Sequence, residues 1–175
     1  KIAKDVYRMT LVGDTSKIVS PGGFVELELP GLYLRRPISV CDVTGGTLTL
    51  IYKVVGVGTD AMCKYESGVR LDVLTGLGNG FNTDADTKAP LLVGGGVGVP
   101  PLYMLCKRLI EKGVTPSVIL GFNTKDDVFY KNEFEALGVK VTVTTADGSC
   151  GTKGFVTDAL DAHTYDYTYS CGPLP

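Results

Sequence analysis

The hydrophobic pattern of this 175-residue chain changes its period once, and that change limits the fold more than any other feature. Before residue 85, apolar residues recur at every second position, for example in 24–29 and 47–54, which is the pattern of half-buried strands. After residue 90, short apolar runs alternate with helical patterns, which favours a parallel sheet with right-handed crossovers. The polar run 82–88 separates the two patterns. We therefore predict an antiparallel β-barrel domain at 1–85 and a doubly wound parallel-sheet (α/β) domain at 86–175.

The individual elements follow from these patterns. In the first domain, short strands separated by glycine turns are predicted at 6–12, 24–29, 36–43, 47–54 and 70–74. In the second domain, buried strands are predicted at 91–93, 118–120, 139–144 and 165–170. Helices are predicted between them at 100–112, 126–137 and 152–160, with Gly138 ending the second helix.

Charge and hydropathy exclude two classes of partner. The formal net charge of -2 supplies no basic stripe for nucleic acid or for an anionic membrane surface. The uncharged run 89–106 is long enough to suggest a membrane span, but it contains four glycines and three prolines. It predicts instead a buried strand, a turn and the start of a helix, so no membrane partner is expected.

The five cysteines bear on metal binding and on the cellular compartment. They stand far apart in the sequence and form no C-x-x-C pair, so no zinc or iron–sulfur site is predicted within this chain. An odd number of cysteines is typical of a reducing compartment, in which buried thiols behave as small apolar side chains. A cytoplasmic location is therefore expected.

The glycine-rich segment 94–98 is the strongest local signal of a ligand site. It lies between a predicted strand and a predicted helix, where unpaired N–H groups and the helix dipole favour an anion. The dinucleotide fingerprint is G-x-G-x-x-G, whereas counting from Gly96 gives G-x-G-x-x-P with Pro101 last. A purely structural turn is the alternative. The position at the start of an α/β domain favours phosphate binding.

Two arginines enter a predicted strand in the sequence Arg35, Arg36, Pro37, Ile38 and Ser39. One interpretation is a solvated strand edge. The other is a guanidinium that clamps a phosphate, with a serine hydroxyl that reaches a ring nitrogen of the same ligand. Arg36 and Ser39 are an odd number of residues apart, so they would face opposite sides of an ideal strand. A local twist near Pro37 is required if both are to contact one ligand.

Six motifs, in the right order, resemble ferredoxin-NADP reductase-like proteins. Four motifs of this sequence resemble the flavin domain of that superfamily: R-P-I-S at 36–39, Y-K-V at 52–54, G-T at 58–59 and L-G-N-G-F at 77–81. Its nicotinamide-nucleotide domain is resembled by the glycine loop and by S-C-G-P at 170–173. More narrowly, G-G-G-V-G-V-P-P-L and the A-D-G-S-x-G-x-x-G-F-V-T-D segment at 146–158 are similar to the electron-transfer subunits of class 1B dihydroorotate dehydrogenases.

The resemblance implies which residues would hold each cofactor. In the FAD-binding barrel, Arg36 would contact the phosphates and Ser39 would lie near flavin N5 as the catalytic residue. The remaining FAD contacts would come from Pro37, Ile38, Tyr52, Lys53, Val54, Gly58 and Thr59. In the NAD-binding domain, the dinucleotide would be cradled by Gly95, Gly96 and Gly98, and the nicotinamide would be bordered by Cys171 and Gly172.

The resemblance also implies an activity and an assembly. The chain would pass electrons to NAD+ in pyrimidine biosynthesis, in a heterotetramer with an FMN-containing dihydroorotate dehydrogenase catalytic subunit. The family carries a [2Fe-2S] cluster on cysteines that follow the C-G-P motif, where this sequence ends, and the first barrel strand looks shortened. We therefore expect the cluster only in a longer protein, with no metal ligand in this chain.

Two other functions are compatible with the sequence. One is a different reductase subunit of the superfamily, such as a ferredoxin-dependent NAD(P) oxidoreductase. The other is a non-catalytic nucleotide-binding module on the same scaffold, because a fold does not determine a function. The acid that often follows the second strand and holds a ribose hydroxyl is missing from the Gly121-Phe122-Asn123 segment. The preference for NAD over NADP therefore depends on the resemblance alone.

Overall fold

The computed structural model describes residues 1–173, which form two five-stranded sheets. The first sheet is antiparallel and consists of β1 (Val6–Val12), β2 (Phe24–Leu27), β3 (Arg36–Thr44), β4 (Thr47–Lys53) and β5 (Val73–Leu77). Its strand order is β1-β4-β3-β2-β5, and helix α1 (Val57–Met62) follows β4. The alternating pattern explains the centre of this sheet, because Val25 and Leu27 of β2 and Leu48 and Leu50 of β4 are alternate residues buried in one apolar cluster with Val40 of β3.

The second sheet is parallel and consists of β6 (Pro90–Gly95), β7 (Ser117–Phe122), β8 (Lys140–Thr145), β9 (Thr152–Lys153) and β10 (Tyr167–Cys171). Its strand order is β10-β6-β7-β8-β9. Helices α2 (Val99–Glu111) and α3 (Lys131–Ala136) cover one face, and the 3-10 helix Val156–Ala162 covers the other. The predicted fold class, an antiparallel barrel domain followed by a doubly wound α/β domain, is confirmed.

Helix α2 is the longest helix of residues 1–173, with 13 residues. Its first turn contains Pro100 and Pro101, which are tolerated there because the first N–H groups of a helix have no partner within it. The prediction of a helix at 100–112 is therefore right to within one residue at each end. In the part of the chain that the structure describes, no helix is long and apolar enough to cross a membrane.

The strand predicted at 70–74 is wrong by three residues, since β5 begins at Val73. The partner strand sets these bounds. Phe24 pairs with Leu77 and Leu27 pairs with Val73, so β5 extends only as far as β2 can pair with it. The prediction of β2 at 24–29 was also too long, because β2 ends at Leu27.

The single helix predicted at 126–137 is wrong. The segment divides into a 3-10 turn, Lys125–Asp127, and the short helix α3, and Tyr130 lies between them in the left-handed region with φ of 64°. Such a conformation costs a non-glycine residue roughly 1–2 kcal/mol. It lets Phe129 and Tyr130 turn into the apolar core, where both side chains are buried. Tertiary packing therefore overrides the helical pattern here.

The helix predicted at 152–160 is also wrong in its first half. Residues Thr152–Lys153 form the edge strand β9, in which Thr152 pairs with Thr144, and only the following 3-10 helix matches the prediction. The backbone of Gly151 and Gly154 explains this result, since their φ angles of 67° and 121° lie outside the helical region. The segment between these glycines is therefore extended, and the 3-10 helix begins only after Gly154.

One apolar cluster joins the two sheets. Val6, Cys41 and Ile51 of the antiparallel sheet are buried together with α2 and with Tyr130. Burial raises the pKa of the Cys41 thiol to about 12, so this cysteine stays neutral and acts as an apolar packing residue. The structure thus shows two sheets that share a core, and the division at residues 85 and 86 stays a prediction.

Asp166, just before β10, is hydrogen-bonded to the segment that connects the two sheets. Its carboxylate accepts hydrogen bonds from the Thr87 hydroxyl, from Lys88 N at 2.8 Å and from Ala89 N at 3.1 Å. These bonds, first of all the one from Thr87, lower the pKa of Asp166 below its ordinary value. A carboxyl group with a lowered pKa stabilises the fold above its unfolded-state pKa, and this stabilisation is lost as the pH falls through the folded-state pKa.

We therefore expect Asp166→Asn to lower the melting temperature at neutral pH. The difference in melting temperature should shrink as the pH falls below the ordinary pKa of a carboxyl group, because the wild-type Asp166 then loses its charge. Thermal unfolding followed by circular dichroism between acidic and neutral pH measures this. Asp161→Asn, at an exposed position of the 3-10 helix Val156–Ala162, is the control that should change little. A pH-independent difference would contradict the role assigned to the Asp166 charge.

Candidate functional site

A cavity of about 350 Å³ opens between the antiparallel sheet and the glycine-rich loop of the α/β half. The start of β3 and the end of β4 form its walls, and its lining residues are Arg36, Pro37, Ile38, Ser39, Ile51, Tyr52, Lys53, Val55, Thr59 and Val97. Its size is within the usual range for small-molecule sites, roughly 300–1,000 Å³. The charged lining residues are Arg36 and Lys53, both cations, so the cavity favours an anionic ligand.

The sequence left open whether Arg36 and Ser39 could face one ligand, and both line this cavity. Arg36, Ile38 and Ser39 are all partly exposed, although this part of β3 pairs with β2 in a regular antiparallel register. Ser39 pairs with Phe24 of β2, which fixes its place in the sheet. Both residues therefore adjoin one cavity, and the local twist near Pro37 stays a prediction.

Arg36 lies directly over the first turn of α1. A Cβ atom on Gly58 would overlap the Arg36 side chain, so a glycine is needed for the guanidinium to pass this close to the helix. The guanidinium also donates a hydrogen bond to the Leu34 carbonyl. The structure therefore brings the two predicted residues Arg36 and Gly58 into contact, although they are far apart in the sequence.

The neighbouring arginine has a different environment. The Arg35 guanidinium contacts Glu28 and Asp72, at 2.6 Å in each case, and it is not among the cavity residues. Of the two arginines that enter the strand, Arg35 thus holds a structural position between β2 and β5. Arg36 is the one available to a ligand.

The three residues of the predicted segment 52–54 have different environments, and two of them, Tyr52 and Lys53, line the cavity. Tyr52 is buried and stacks on Tyr7, with ring centroids 6.2 Å apart, and burial raises the pKa of its phenol to about 12. The phenol is therefore neutral at physiological pH and can donate a hydrogen bond. Lys53 lines the cavity. Val54 is not among the lining residues, and its N–H donates to the Asp5 carbonyl at 2.8 Å.

The Thr59 hydroxyl organises the loop before α1. It accepts hydrogen bonds from Val55 N at 2.9 Å and Gly56 N at 3.2 Å, and it donates to the Gly56 carbonyl. These bonds satisfy N–H groups that the start of a helix leaves without a partner. The hydroxyl is thus engaged within the loop, and Thr59 adjoins the cavity as part of the structure that shapes its edge.

The glycine loop leads from β6 into α2 at the carboxyl edge of the parallel sheet. Strand β6 has β10 on one side and β7 on the other, so the strand order reverses beside it, at the position where ligands bind in open α/β sheets. Gly96 has φ of 51°, and a Cβ there would meet no atom within 4 Å. A Cβ on Gly95 would make only ordinary contacts, the nearest at 3.7 Å. The backbone of these two glycines is therefore open to an approaching group.

Gly98 has a different physical role. A Cβ atom there would overlap the backbone of Cys171 and lie 2.6 Å from Gly172 Cα. The start of α2 and the end of β10 therefore touch backbone to backbone, which only glycine permits. This contact brings Cys171 and Gly172 beside the glycine loop, and burial raises the pKa of the Cys171 thiol, which stays neutral.

Sequence reasoning missed three lining residues, Ile51, Val55 and Val97. Val97 is the most informative of them, because it belongs to the glycine loop and yet faces a cavity built largely by the antiparallel sheet. The Val97 side chain is 44% exposed, and an exposed apolar side chain beside a cavity is a structural signal of a ligand contact. For residues 1–173, no group of three or more metal-ligating side chains comes together.

The comparisons with known proteins agree with this geometry. The family described as Oxidoreductase NAD-binding domain matches residues 92–175. The dihydroorotate dehydrogenase B (NAD(+)) electron transfer subunit of Fusobacterium nucleatum subsp. nucleatum is 44% identical over 100% of this chain and 73% of its own length. The protein of the same name from Bacillus mycoides is 46% identical over 99% of this chain and 71% of its own length.

Two solved structures extend the comparison. NADH-dependent reduced ferredoxin-NADP oxidoreductase has a TM-score of 0.87 and 36% identity, covering 99% of this chain and 65% of that chain. This chain thus spans less than two thirds of that protein's length. A ferredoxin NADP+ reductase from Neisseria gonorrhoeae, with bound FAD and NADP, has a TM-score of 0.80 at 14% identity, covers 95% of this chain and 78% of that chain, and supports the fold alone.

The barrel sheet, the parallel sheet and the glycine loop between them define a class of oxidoreductase in which a flavin-binding barrel domain precedes an NAD-binding domain. Within that class the identity to curated relatives along the whole chain decides the family. This chain belongs to the family of dihydroorotate dehydrogenase B (NAD+) electron transfer subunits.

Proposed function

We propose that this chain binds FAD and NAD side by side and carries electrons from dihydroorotate oxidation to NAD+ in pyrimidine biosynthesis. The observation that carries the proposal is the single cavity whose walls are the R-P-I-S strand and the end of β4 and whose mouth includes Val97 of the glycine loop. A ligand in this cavity would lie beside a ligand on the loop, because Val97 of the loop lines the cavity. Two adjoining cofactors are what a hydride exchange between flavin and nicotinamide requires.

FAD occupies the cavity in this proposal. Arg36 and Lys53 supply positive charge for its phosphates, and Gly58 with Thr59 shapes the edge beside Arg36. Pro37, Ile38 and Tyr52 supply the apolar and backbone surroundings of the ring and its chain, whereas Val54 lies outside the cavity lining and supports the end of β4 through its bond to Asp5. Buried, neutral Tyr52 can donate a hydrogen bond without adding charge.

NAD lies on the glycine loop. Gly95 and Gly96 leave the backbone open for the pyrophosphate, while Gly98 holds Cys171 and Gly172 against the loop to form one wall of the nicotinamide site. When both cofactors are bound, the flavin supplies the redox chemistry by exchanging a hydride, two electrons and one proton, with the nicotinamide. Ser39 donates a hydrogen bond near the reacting flavin nitrogen, and the neutral Cys171 thiol keeps the nicotinamide side free of charge.

The assembly extends this proposal beyond the chain. The relatives' name implies a catalytic dihydroorotate dehydrogenase subunit as partner, and we propose that it contains FMN, forms a heterotetramer with this chain and lies in the cytoplasm. The residues of the structure do not fit a [2Fe-2S] cluster, because no three potential ligands come together within 1–173.

A second candidate has a specific observation in its favour. The solved relative at 36% identity is an NADH-dependent reduced ferredoxin-NADP oxidoreductase, so ferredoxin is the alternative electron donor. The two candidates differ in the electron donor, which is dihydroorotate in the first and ferredoxin in the second.

Assaying the purified full-length complex separates the two functions. We expect reduction of NAD+ when dihydroorotate is added and none when dihydroorotate is replaced by reduced ferredoxin. The reverse result would establish the second candidate. A complex that contains both cofactors and reduces NAD+ from neither donor would refute both.

A further inference from the structure

Strand β3 and helix α2 each begin at one cofactor site and then meet each other. The first residues of β3 line the cavity, and α2 starts directly after Gly98 of the glycine loop. Farther along, the two elements pack together across the contact between the sheets. The orientation of α2 on β3 therefore determines where the glycine loop lies relative to the cavity.

A polar network of three side chains links these two elements. Lys107 Nζ of α2 donates to both carboxylate oxygens of Asp42 on β3, at 2.7 and 2.9 Å, and to Thr44 Oγ1 at 3.2 Å. The Thr44 hydroxyl in turn donates to Asp42 Oδ2 at 3.2 Å. Each member contacts the other two, so the network fixes one relative position of the strand and the helix.

The burial of this ion pair is unusual among those of residues 1–173. The side chains of Lys107 and Asp42 are 27% and 19% exposed, whereas every other ion pair of this range has at least one side chain more than 40% exposed. Exposed pairs contribute little because water screens them and their side chains stay mobile. A partly buried pair with several hydrogen bonds is held in one geometry.

The backbone of β3 is deformed at this position. Val40 pairs with Leu50 and Asp42 with Thr49, so Cys41 is an extra residue and forms a β-bulge. In a regular strand Cys41 and Asp42 would face opposite sides. Here Cys41 enters the core shared with α2, and Asp42 also contacts α2, while Val40 and Val43 pack in the barrel core. The bulge thus turns two consecutive side chains toward the helix.

The rest of the contact between β3 and α2 is apolar. Cys41 packs there with residues such as Leu102 and Leu105, and apolar contacts have no preferred direction along a surface. These apolar contacts hold α2 against β3 but only weakly determine the position of the helix along the strand. The Asp42–Lys107 pair lies three residues from Ser39 and about 12 Å along α2 from its start.

We propose that Asp42, Thr44 and Lys107 are positioning residues that fix α2 on β3 and thereby hold the nicotinamide at the correct offset from the flavin ring. The inference rests on the proposed function, since it assigns a role in the hydride exchange at that site. Hydride transfer requires the two rings in close contact, and a misplacement of about 1 Å can reduce a rate about 100-fold. None of the three side chains touches either cofactor site directly.

The test uses the full-length subunit in its complex, loaded with FAD and mixed anaerobically with NADH in a stopped-flow instrument. For Lys107→Met we expect a limiting rate of flavin reduction about 10- to 100-fold below that of the wild type. The FAD content and the flavin midpoint potential should be unchanged, and the charge-transfer absorbance that reports stacking of nicotinamide on flavin should be weaker. Lys107→Arg keeps the ion pair and should stay within about threefold of the wild-type rate.

Two further variants separate positioning from stability. Arg108→Met removes an exposed ion pair one residue along the same helix and should leave the rate and the absorbance unchanged. The double variant Asp42→Leu/Lys107→Met replaces the pair by apolar side chains, which is often neutral for stability. It should fold as well as the wild type and remain slow. If Lys107→Met fails to fold, this double variant decides.

Wild-type rate and absorbance in Lys107→Met, or full activity in the stable double variant, would overturn the inference. Either result leaves the proposed function intact. If instead wild-type FAD is not reduced by NADH at all, the proposed function itself has failed. The two failures are therefore distinguishable.

Discussion

Arg36→Met is expected to weaken FAD binding about 10- to 150-fold. A hydrogen bond to a charged group contributes about 1.5–3 kcal/mol, and each 1.4 kcal/mol corresponds to about tenfold in Kd. Methionine keeps much of the side-chain volume but removes the charge that faces the cavity. The FAD content of the purified protein and the Kd for added FAD measure the effect.

The neighbouring arginine provides a matched control. Arg35 has the same charge and lies one residue away, but it contacts Glu28 and Asp72 outside the cavity. Arg35→Met should therefore retain FAD. Gly58→Ala should reproduce the Arg36 result, because the added Cβ would overlap the Arg36 side chain and displace it. Equal loss of FAD in the Arg35 and Arg36 variants would contradict the role of Arg36.

Gly98→Ala is expected to raise the Kd for NADH about 100-fold while FAD stays bound. The new Cβ cannot fit against the Cys171 backbone, so the loop and the end of β10 must separate. Overpacking of this kind costs about 1–3 kcal/mol, and each 1.4 kcal/mol lost from NADH binding corresponds to about tenfold in Kd. Calorimetric titration with NADH measures the affinity, and flavin absorbance reports the FAD content.

Gly13→Ala is the control for this substitution. A Cβ at Gly13 would meet nothing within 4 Å, so this variant should bind NADH as the wild type does. Gly98→Ala with unchanged NADH affinity would show that the contact between the loop and β10 does not shape the nicotinamide site.

The sequence was sufficient for the fold because the periods of its two halves differ physically. Alternation at the start of β4 buries Leu48 and Leu50 on one face of the sheet, and the uncharged run 91–93 fits a strand covered on both faces. Patterns of this kind depend on neighbouring residues only. The bounds of β5 and the break at Tyr130 could not be predicted, because a partner strand and the shared core determine them.

The site was predictable in its chemistry but not in its contacts. Sequence motifs indicated Arg36 and Gly58 separately. Only the folded chain shows that the Arg36 side chain passes so close to residue 58 that this residue is glycine. Gly98 was predicted as part of a phosphate cradle, and the structure gives it a packing role against Cys171. Val97 could not be found from the sequence, since its exposure arises from the meeting of the two sheets.

An anaerobic titration of the FAD-loaded protein with NADH tests most directly whether the cavity holds a flavin beside a nicotinamide on the glycine loop. The prediction is that the visible absorbance of oxidised flavin disappears at roughly one NADH per FAD, since the flavin takes the hydride from a nicotinamide held beside it. Protein that binds NADH while its flavin stays oxidised would contradict the claim. Protein that cannot be loaded with FAD would contradict it as well.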